Sequence, residues 1–326
     1  MQRPNRRCFL RHSAIAAGLA LAPGSAPSPG RLIALNSAAG ASAPGPATGA
    51  AATRRAKPWQ LGMIIGVGTD PEAALSTVHQ LGLPTCQLEM AVFTPELARS
   101  LETALDHYGV VPTALVTGGP GPDVYDFVHG PLTCGLVPRS TRPARVARLK
   151  QASDFAKGIG IPAVQTHCGF IPADPNDTLY KEVVAAIREV ASYCKKNGQM
   201  FRYETGQETP VTMLRAIEDV GLDNQGINFD TANFILYDTG NPVDALDVVG
   251  AHVQGTHMKD GLFPTDPKQL GREVLMGRGM VNFAQVIQKL RKLNYDGTLT
   301  IERETSGSQQ LRDIETEKAF LESLLA

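Results

Sequence analysis

The chain has 326 residues, 43% of them hydrophobic, and its charges nearly balance, with 31 basic and 32 acidic residues. Seven basic residues and no acidic ones lie in residues 1–56, so residues 57–326 hold 24 basic against 32 acidic side chains, a net charge of −8. A surface of that sign repels a phosphate backbone and argues against nucleic acid as a partner. Cys8 aside, the four cysteines show neither CxxC spacing nor the density of a disulfide scaffold, so buried free thiols are expected, with one disulfide as the alternative.

Residues 1–30 predict an export signal peptide. Arg6-Arg7-Cys8-Phe9-Leu10 precedes an uncharged run of small apolar residues, 14–22, which is far shorter than the roughly 20 residues that span a bilayer. The paired arginines with Phe9 and Leu10 resemble a twin-arginine signal, and an ordinary secretory signal is the alternative. We therefore expect an exported, periplasmic protein that has no membrane contact beyond export.

Residues 31–56 are rich in Ala, Gly and Pro and contain no acidic residue. They hold too few large apolar groups to offset the entropy lost on ordering, which predicts a flexible linker. Residues 57–326 have the usual length of one α/β barrel, and no second linker interrupts them.

Short β-rich runs alternate with amphipathic stretches along residues 57–326. The predicted strands are Gln60–Val67, Thr85–Met90, Pro112–Thr117, Ala163–Cys168, Met200–Tyr203, Gly226–Phe229, His252–Thr256 and Thr298–Ile301. The predicted helices are Asp70–Leu81, Thr94–Tyr108, Arg142–Gly158, Leu179–Asn197, Pro210–Val220, Val243–Val249, Phe283–Leu293 and Gln309–Leu325. Eight strands that are each followed by a helix predict a single-domain α/β fold, a (β/α)₈ TIM barrel.

Alternate residues of the predicted strands form one apolar and one polar set. Leu88, Phe201, Tyr203, Ile227 and Leu299 belong to the apolar set, which suits the face toward the helices. The polar set contains Gln87, Glu89, Gln165, His167, Arg202, Glu204, Asn228, Asp230, Thr300, Glu302 and Glu304. Burying so many polar groups without partners would cost several kcal/mol each, so we expect them to pair or to bind a metal.

Four residues that suit metal binding stand at the ends of the last four predicted strands. They are Glu204, Asp230, His257 and Glu302, and Glu304 competes with Glu302 because it has the same strand parity. Active sites of such barrels lie at the carboxyl ends of the strands. Three carboxylates and one imidazole suit one divalent ion, with Mn²⁺ favoured and Mg²⁺, Co²⁺ or Zn²⁺ as alternatives.

The chain resembles the xylose-isomerase-like barrels, which include tagatose/psicose 3-epimerases, inosose dehydratase and endonuclease IV. The resemblance covers Leu61 to Leu324. It rests on His167-Cys168-Gly169-Phe170, the Glu204 strand, Phe229-Asp230-x-x-Asn233, His257-x-Lys259-Asp260, Gly277-x-Gly279-x-Val281-x-Phe283 and Gly297-x-Leu299-x-Ile301-Glu302-Arg303-Glu304. It implies that Glu204, Asp230, His257 and Glu302 bind the metal and that His167 and Lys259 line the substrate site.

Two further polar residues, Glu89 and Asn233, are assigned with His167 and Lys259 to substrate binding. Asn233 is also a departure from the resemblance, because sugar epimerases of this family commonly have a histidine three residues after the aspartate. A nuclease like endonuclease IV is disfavoured, since its trinuclear zinc cluster needs more histidines than the barrel offers.

The expected activity is that of a metal-dependent isomerase or epimerase acting on a sugar, keto-sugar or inosose. Glu204 and Glu302 are the candidate catalytic residues, which remove and return a proton next to a carbonyl through a metal-stabilised enediolate. Loss of a β-substituent from the same intermediate would make the enzyme a lyase or dehydratase. A non-catalytic carbohydrate-binding barrel is the alternative of another class.

Overall fold

The computed structural model describes residues 58–326. The predicted signal peptide (1–30) and linker (31–56) lie outside the described residues. Within 58–326, none of the helices combines the length and the apolar character needed to cross a bilayer.

Eight parallel strands form a closed barrel, in the order β1-β10-β7-β6-β5-β4-β3-β2. Their bounds are β1 Leu61–Gly66, β2 Thr85–Glu89, β3 Val111–Val116, β4 Ala163–His167, β5 Met200–Glu204, β6 Gln225–Asp230, β7 Val253–Met258 and β10 Leu299–Ile301. This confirms the predicted (β/α)₈ barrel. Each strand begins and ends within two residues of its predicted bounds.

The long helices pack outside this barrel, and most begin at a residue whose side chain accepts a backbone N–H. Thr94, Thr209 and Asn241 cap their helices in this way, and proline follows each of them directly. The eight helices are α1 Pro71–Gln80, α2 Pro95–Tyr108, α4 Arg142–Gly158, α5 Thr178–Lys196, α6 Pro210–Val220, α8 Pro242–Val249, α9 Phe283–Lys292 and α10 Gly307–Leu325.

Several short elements were not predicted from the sequence. Two short helices occur, α3 Gly130–Thr133 and α7 Asn233–Leu236, and a 3₁₀ turn covers Gly250–His252. An antiparallel hairpin pairs β8 Asp260–Leu262 with β9 Arg272–Val274. Elements of three or four residues are too short to show a hydrophobic period, which explains why the pattern did not reveal them.

The two predicted sets of strand residues lie on opposite faces of the barrel wall. Leu88, Phe201, Tyr203, Ile227 and Leu299 are fully buried in the main apolar core. The polar set faces the interior, where hydrogen bonds cross between strands: Gln87 donates to Asn228 at 2.9 Å and Gln165 donates to Glu204 at 3.2 Å. The four described cysteines are buried free thiols, as expected.

Candidate metal centre and substrate cleft

Glu204, Asp230, His257 and Glu302 meet at the carboxyl end of the barrel. Each offers one ligand atom, and these four atoms lie within 4.8 Å of one another. Glu204 and Asp230 are the last residues of β5 and β6, His257 is the penultimate residue of β7, and Glu302 follows β10 directly. The parallel register explains the meeting, since it places Asp230 beside His257. We refer to these four residues as the acid–histidine group.

The ring of His257 lies between carboxylates on one side and a side-chain amide on the other. Its Nδ1 lies 2.8 Å from Glu204 Oε1 and 3.2 Å from Glu302 Oε2, while its Nε2 lies 2.8 Å from Gln87 Oε1. Burial lowers the pKa of His257, but the Glu302 and Glu204 carboxylates outweigh burial and raise that pKa well above its ordinary value. Gln87 therefore orients the ring so that Nδ1 faces the carboxylates.

The two oxygens of Asp230 have different partners. Oδ1 accepts the backbone N–H groups of Ala232 and Asn233, both at 2.8 Å, and so caps α7. Oδ2 is buried and accepts no well-directed hydrogen bond, although the Lys259 ammonium is 3.0 Å away. Burial, opposed by Lys259, raises the pKa of Asp230 well above its ordinary value. A buried carboxylate oxygen that accepts no well-directed hydrogen bond, beside two more carboxylates and an imidazole, fits a divalent cation.

Lys259 lies within this acidic cluster. Its Nζ is 2.7 Å from Glu302 Oε2 and 2.8 Å from Glu304 Oε1, and the residue is only 1% exposed. Lys259, predicted to bind substrate, is not among the described residues that line the cleft above the group. Glu304 lies outside the acid–histidine group, with 58% of its side chain exposed. The geometry thus separates Glu302 from its competitor.

A cleft of about 520 Å³ opens over the acid–histidine group. His167, Glu89 and Asn233, three of the four residues predicted to bind substrate, line it together with Glu204 and Glu302. His167 Nε2 is 3.6 Å from Glu204 Oε1. Burial, together with Glu302 and Glu204, raises the pKa of Glu89.

Asn233 and His167 are both held by neighbouring residues. The Asn233 amide donates to the Thr205 carbonyl at 3.0 Å, which ties α7 to the end of β5. Gln207 Nε2 lies 3.2 Å from His167 Nδ1 and donates to the Tyr237 hydroxyl at 3.1 Å. The Asn233 position predicted for substrate contact is therefore also a structural junction.

Sequence reasoning missed most of the other cleft residues. They come from the segment after β3, from α4, from the end of α7 and from the hairpin, and include Asp123, Tyr125, Leu136, Arg145, Leu236, Tyr237, Leu270 and Glu273. One signal is present in the sequence: the glycine and proline run at 118–122, in the long segment after the third strand, is typical of a loop. The hairpin had no such signal.

The chain belongs to the family described as Xylose isomerase-like TIM barrel, which matches residues 75–324. A solved xylose isomerase domain protein from Planctomyces limnophilus is 36% identical, with a TM-score of 0.78, and the match covers 82% of this chain and 98% of that one. The expected superfamily is confirmed by these two findings.

More distant solved structures share the fold. A xylose isomerase-like barrel protein from Mycobacterium smegmatis, solved in complex with magnesium, is 17% identical, with a TM-score of 0.62 over 82% of this chain and 96% of that one. L-ribulose 3-epimerase is 16% identical, with a TM-score of 0.64 over 82% and 94% of the two chains. Structural neighbours of this chain are thus sugar epimerases and isomerases.

Proposed function

We propose that this protein is a divalent-metal-dependent isomerase or epimerase that moves a proton next to the carbonyl of a sugar. The observation that carries the proposal is the acid–histidine group at the floor of a cleft of about 520 Å³, with Glu204 and Glu302 both reaching the cleft. The sugar-epimerase neighbours support the choice of substrate class, and the neighbour solved with magnesium supports a divalent metal. We propose Mn²⁺ as the preferred ion, because the ligand set mixes oxygen with nitrogen.

Four residues would hold the ion: Glu204, Asp230, His257 and Glu302. A bound divalent cation supplies a positive charge that polarises a carbonyl and stabilises the negative charge left when the neighbouring C–H proton departs. Gln87 supports this site by fixing the ring of His257, with Nδ1 toward the carboxylates.

Glu204 and Glu302 are suited to accept and return the proton because both are held ionised. Burial raises the pKa of each carboxyl, but His167 and His257 around Glu204, and His257 and Lys259 around Glu302, outweigh it and lower the pKa. The two residues stand at the ends of β5 and β10, which β6 and β7 separate around the barrel, so a substrate between them would meet the two carboxylates from different sides. Return of the proton to the opposite face is epimerisation, and return to the neighbouring carbon is isomerisation.

Deuterium exchange tests this function without knowledge of the net reaction. The full-length protein loaded with Mn²⁺ should exchange deuterium from D₂O into the carbon next to the carbonyl of a ketose, an inosose or a 3-keto sugar. Glu204→Gln and Glu302→Gln should each reduce the exchange rate by at least about 10²-fold, the low end for loss of a positioned acid or base. Mass spectrometry or NMR follows the exchange, and the same spectra reveal elimination if the enzyme is a lyase.

The metal content of every variant must be measured in parallel, because a lost ion would mimic a lost base. Glu304→Gln is the informative companion: it changes a carboxylate two residues from Glu302 that lies outside the acid–histidine group, so its effect should be smaller. A fully metallated wild-type protein that neither exchanges nor eliminates on this panel would contradict the proposed function and favour a binding protein.

A further inference from the structure

The cleft extends well beyond the acid–histidine group. Successive contacts lead outward from Glu204: His167 is 3.6 Å away, the Tyr125 ring centroid is 5.6 Å from that of His167, and the Tyr125 hydroxyl is 3.4 Å from Asp123 Oδ2. We refer to the part of the cleft at the acid–histidine group as the acidic end and to the part at Asp123 and Tyr125 as the loop end.

The volume of the cleft exceeds what one sugar ring needs. At about 30 Å³ for each water molecule, 520 Å³ corresponds to about 17 waters. A monosaccharide has only about twelve non-hydrogen atoms, whereas pockets of about 300–1,000 Å³ bury drug-sized ligands. A ring held at the acidic end thus leaves the loop end open to a second group of similar size.

The loop end is built for a polar, ring-shaped group. Tyr125 is 45% exposed and lines the cleft. Asp123 Oδ1 is buried 3.7 Å from the Arg145 guanidinium, Oδ2 accepts the Tyr125 hydroxyl at 3.4 Å, and the Asp123 side chain as a whole is 26% exposed. An aromatic face beside a partly exposed carboxylate matches a sugar ring, with C–H groups against the tyrosine and a hydroxyl donating to the aspartate.

The loop end offers no free cation to a phosphate. Arg145 is the single Lys or Arg among the described residues that line the cleft, and it is 2% exposed. Its guanidinium donates to the carbonyls of Gly135 and Pro122, each at 2.7 Å, and of Pro120 at 3.3 Å, so its role is to hold the loop. Gly119 is needed for this packing, because a Cβ there would lie 2.1 Å from Arg145 Cγ.

Among residues 58–326, six acidic side chains line the cleft against the one arginine. They are Glu89, Asp123, Glu204, Glu273, Glu302 and Glu304. Together they would repel a phosphorylated sugar, while a neutral sugar presents hydroxyl donors to them.

We propose, on the basis of the proposed function, that the cleft binds an uncharged glycoside. The ring with the carbonyl lies at the acidic end, and a second ring or a neutral group of similar size lies at the loop end between Tyr125 and Asp123. Monosaccharides and sugar phosphates are poorer ligands, because the first leaves the loop end empty and the second brings negative charge to an acidic lining.

Three matched probes test the proposal: a 3-keto-glucosyl disaccharide, the methyl glycoside of the same 3-keto sugar, and the 6-phosphate of that methyl glycoside. All three share one reacting ring. Calorimetric binding constants and kcat/KM for deuterium exchange are measured with the full-length, Mn²⁺-loaded protein. The binding constant and the kcat/KM for the disaccharide should each exceed those for the methyl glycoside by at least about 10-fold. One aromatic contact with one hydrogen bond to a carboxylate is worth about 1.4 kcal/mol or more.

Variants at the loop end should remove this preference selectively. Tyr125→Ala and Asp123→Asn should each reduce disaccharide binding about 5- to 10-fold and change methyl glycoside binding less than twofold. Tyr125→Phe should retain the ring contact. Leu132→Ala is the matched control, because Leu132 lies in α3 of the same segment between β3 and α4, is 71% exposed and does not line the cleft.

The outcomes separate this proposal from the proposed function. Any of three results would overturn the glycoside proposal while exchange persists. The disaccharide and the methyl glycoside would bind with equal affinity, the loop-end variants would weaken binding of both probes equally, or the 6-phosphate would bind more tightly than the methyl glycoside. Absence of exchange on every probe would instead contradict the isomerase function, and the binding constants would still decide whether the loop end recognises a second ring.

Discussion

Asp230 and Asp260 are buried aspartates that follow neighbouring barrel strands, yet their carboxylates have different surroundings. Both oxygens of Asp260 are satisfied, Oδ1 and Oδ2 each accepting two backbone N–H groups at 2.8–3.0 Å. The donors to Asp260 are Gly261, Gly277, Gly279 and Val281. Asp230 satisfies only Oδ1 in this way, and its Oδ2 faces the acid–histidine group.

The difference distinguishes a structural carboxylate from a ligand. Asp260 folds the segment 277–281 around itself, and the close approach explains the glycine at 279, where a Cβ would lie 2.2 Å from Asp260 Oδ1. Asp230 binds the start of α7 with one oxygen, and its other oxygen faces the candidate metal site. Completeness of the backbone donors, and not burial alone, therefore separates the two roles.

Glu208 extends the comparison to a buried carboxyl without donors. It is 3% exposed, both of its oxygens lack hydrogen-bond partners, and burial raises its pKa to about 8. Between pH 4.5 and 8 the unfolded chain ionises this group while the folded protein keeps it protonated, so stability falls as the pH rises and then levels off above 8. A shift of this size corresponds to about 5 kcal/mol.

This is the largest expected change in the free energy of unfolding, and urea denaturation at a series of pH values measures it. Glu208→Gln should flatten the decline between pH 5 and 8, because the amide cannot ionise. Part of the slope should remain, since the pKa of Glu317 is also raised to about 8 by burial. An unchanged pH profile in Glu208→Gln would mean that the carboxyl finds a partner in solution.

A matched pair of substitutions tests the comparison itself. Asp230→Asn should weaken Mn²⁺ binding by at least about 10²-fold, the upper end for loss of a group that only supports a ligand. Asp260→Asn should leave the Mn²⁺ affinity within about threefold but lower the free energy of unfolding by about 2 kcal/mol, because its amide N–H₂ would face backbone donors. Calorimetric titration gives the affinities, and denaturation in the presence of a chelator gives the stabilities.

His257→Ala should lose the metal as Asp230→Asn does, since it removes another member of the same group. Stoichiometric Mn²⁺ in both of these variants would refute the metal site. Loss of the ion from a folded Asp260→Asn protein would refute the structural role of that carboxylate.

The barrel and the acid–histidine group could be predicted from the sequence because both depend on short-range periodicity. Alternation within a strand places Glu204 and Asp230 on the interior face, and the parallel order of the strands brings their ends together. The partners of these residues could not be predicted. Whether Asp260 meets four backbone donors, or Lys259 reaches Glu302, depends on the course of loops that show no period.

The side-chain packing at the loop end of the cleft could not be predicted from the sequence either. The run at 118–122 indicated a loop, but the burial of Arg145 beneath it and the exposure of Tyr125 to the cleft follow from packing across many residues. Similarly, Gln87 was recognisable as an interior polar residue, whereas its contact with His257 joins residues 170 positions apart.

Substitution of Gln87 has the smallest expected effect, and it tests how His257, a proposed metal ligand, is oriented. Its Oε1 lies 2.8 Å from His257 Nε2, and its own amide donates to Asn228 Oδ1 at 2.9 Å. This arrangement favours the tautomer with a proton on Nε2 and a free lone pair on Nδ1 for the metal. Gln87→Met removes the acceptor at similar volume and should lower Mn²⁺ affinity about 10-fold, the low end for a supporting partner of a metal ligand.

Gln87→Glu is the control, because a carboxylate keeps an acceptor at the same place. Asn228 allows this change: its Nδ2 is buried without a partner, so rotation of the amide by half a turn would present a donor to the new carboxylate. We therefore expect Gln87→Glu to retain Mn²⁺ affinity within about threefold where Gln87→Met loses it. Equal losses in both variants would show that Gln87 acts on the site through packing and not through the tautomer of His257.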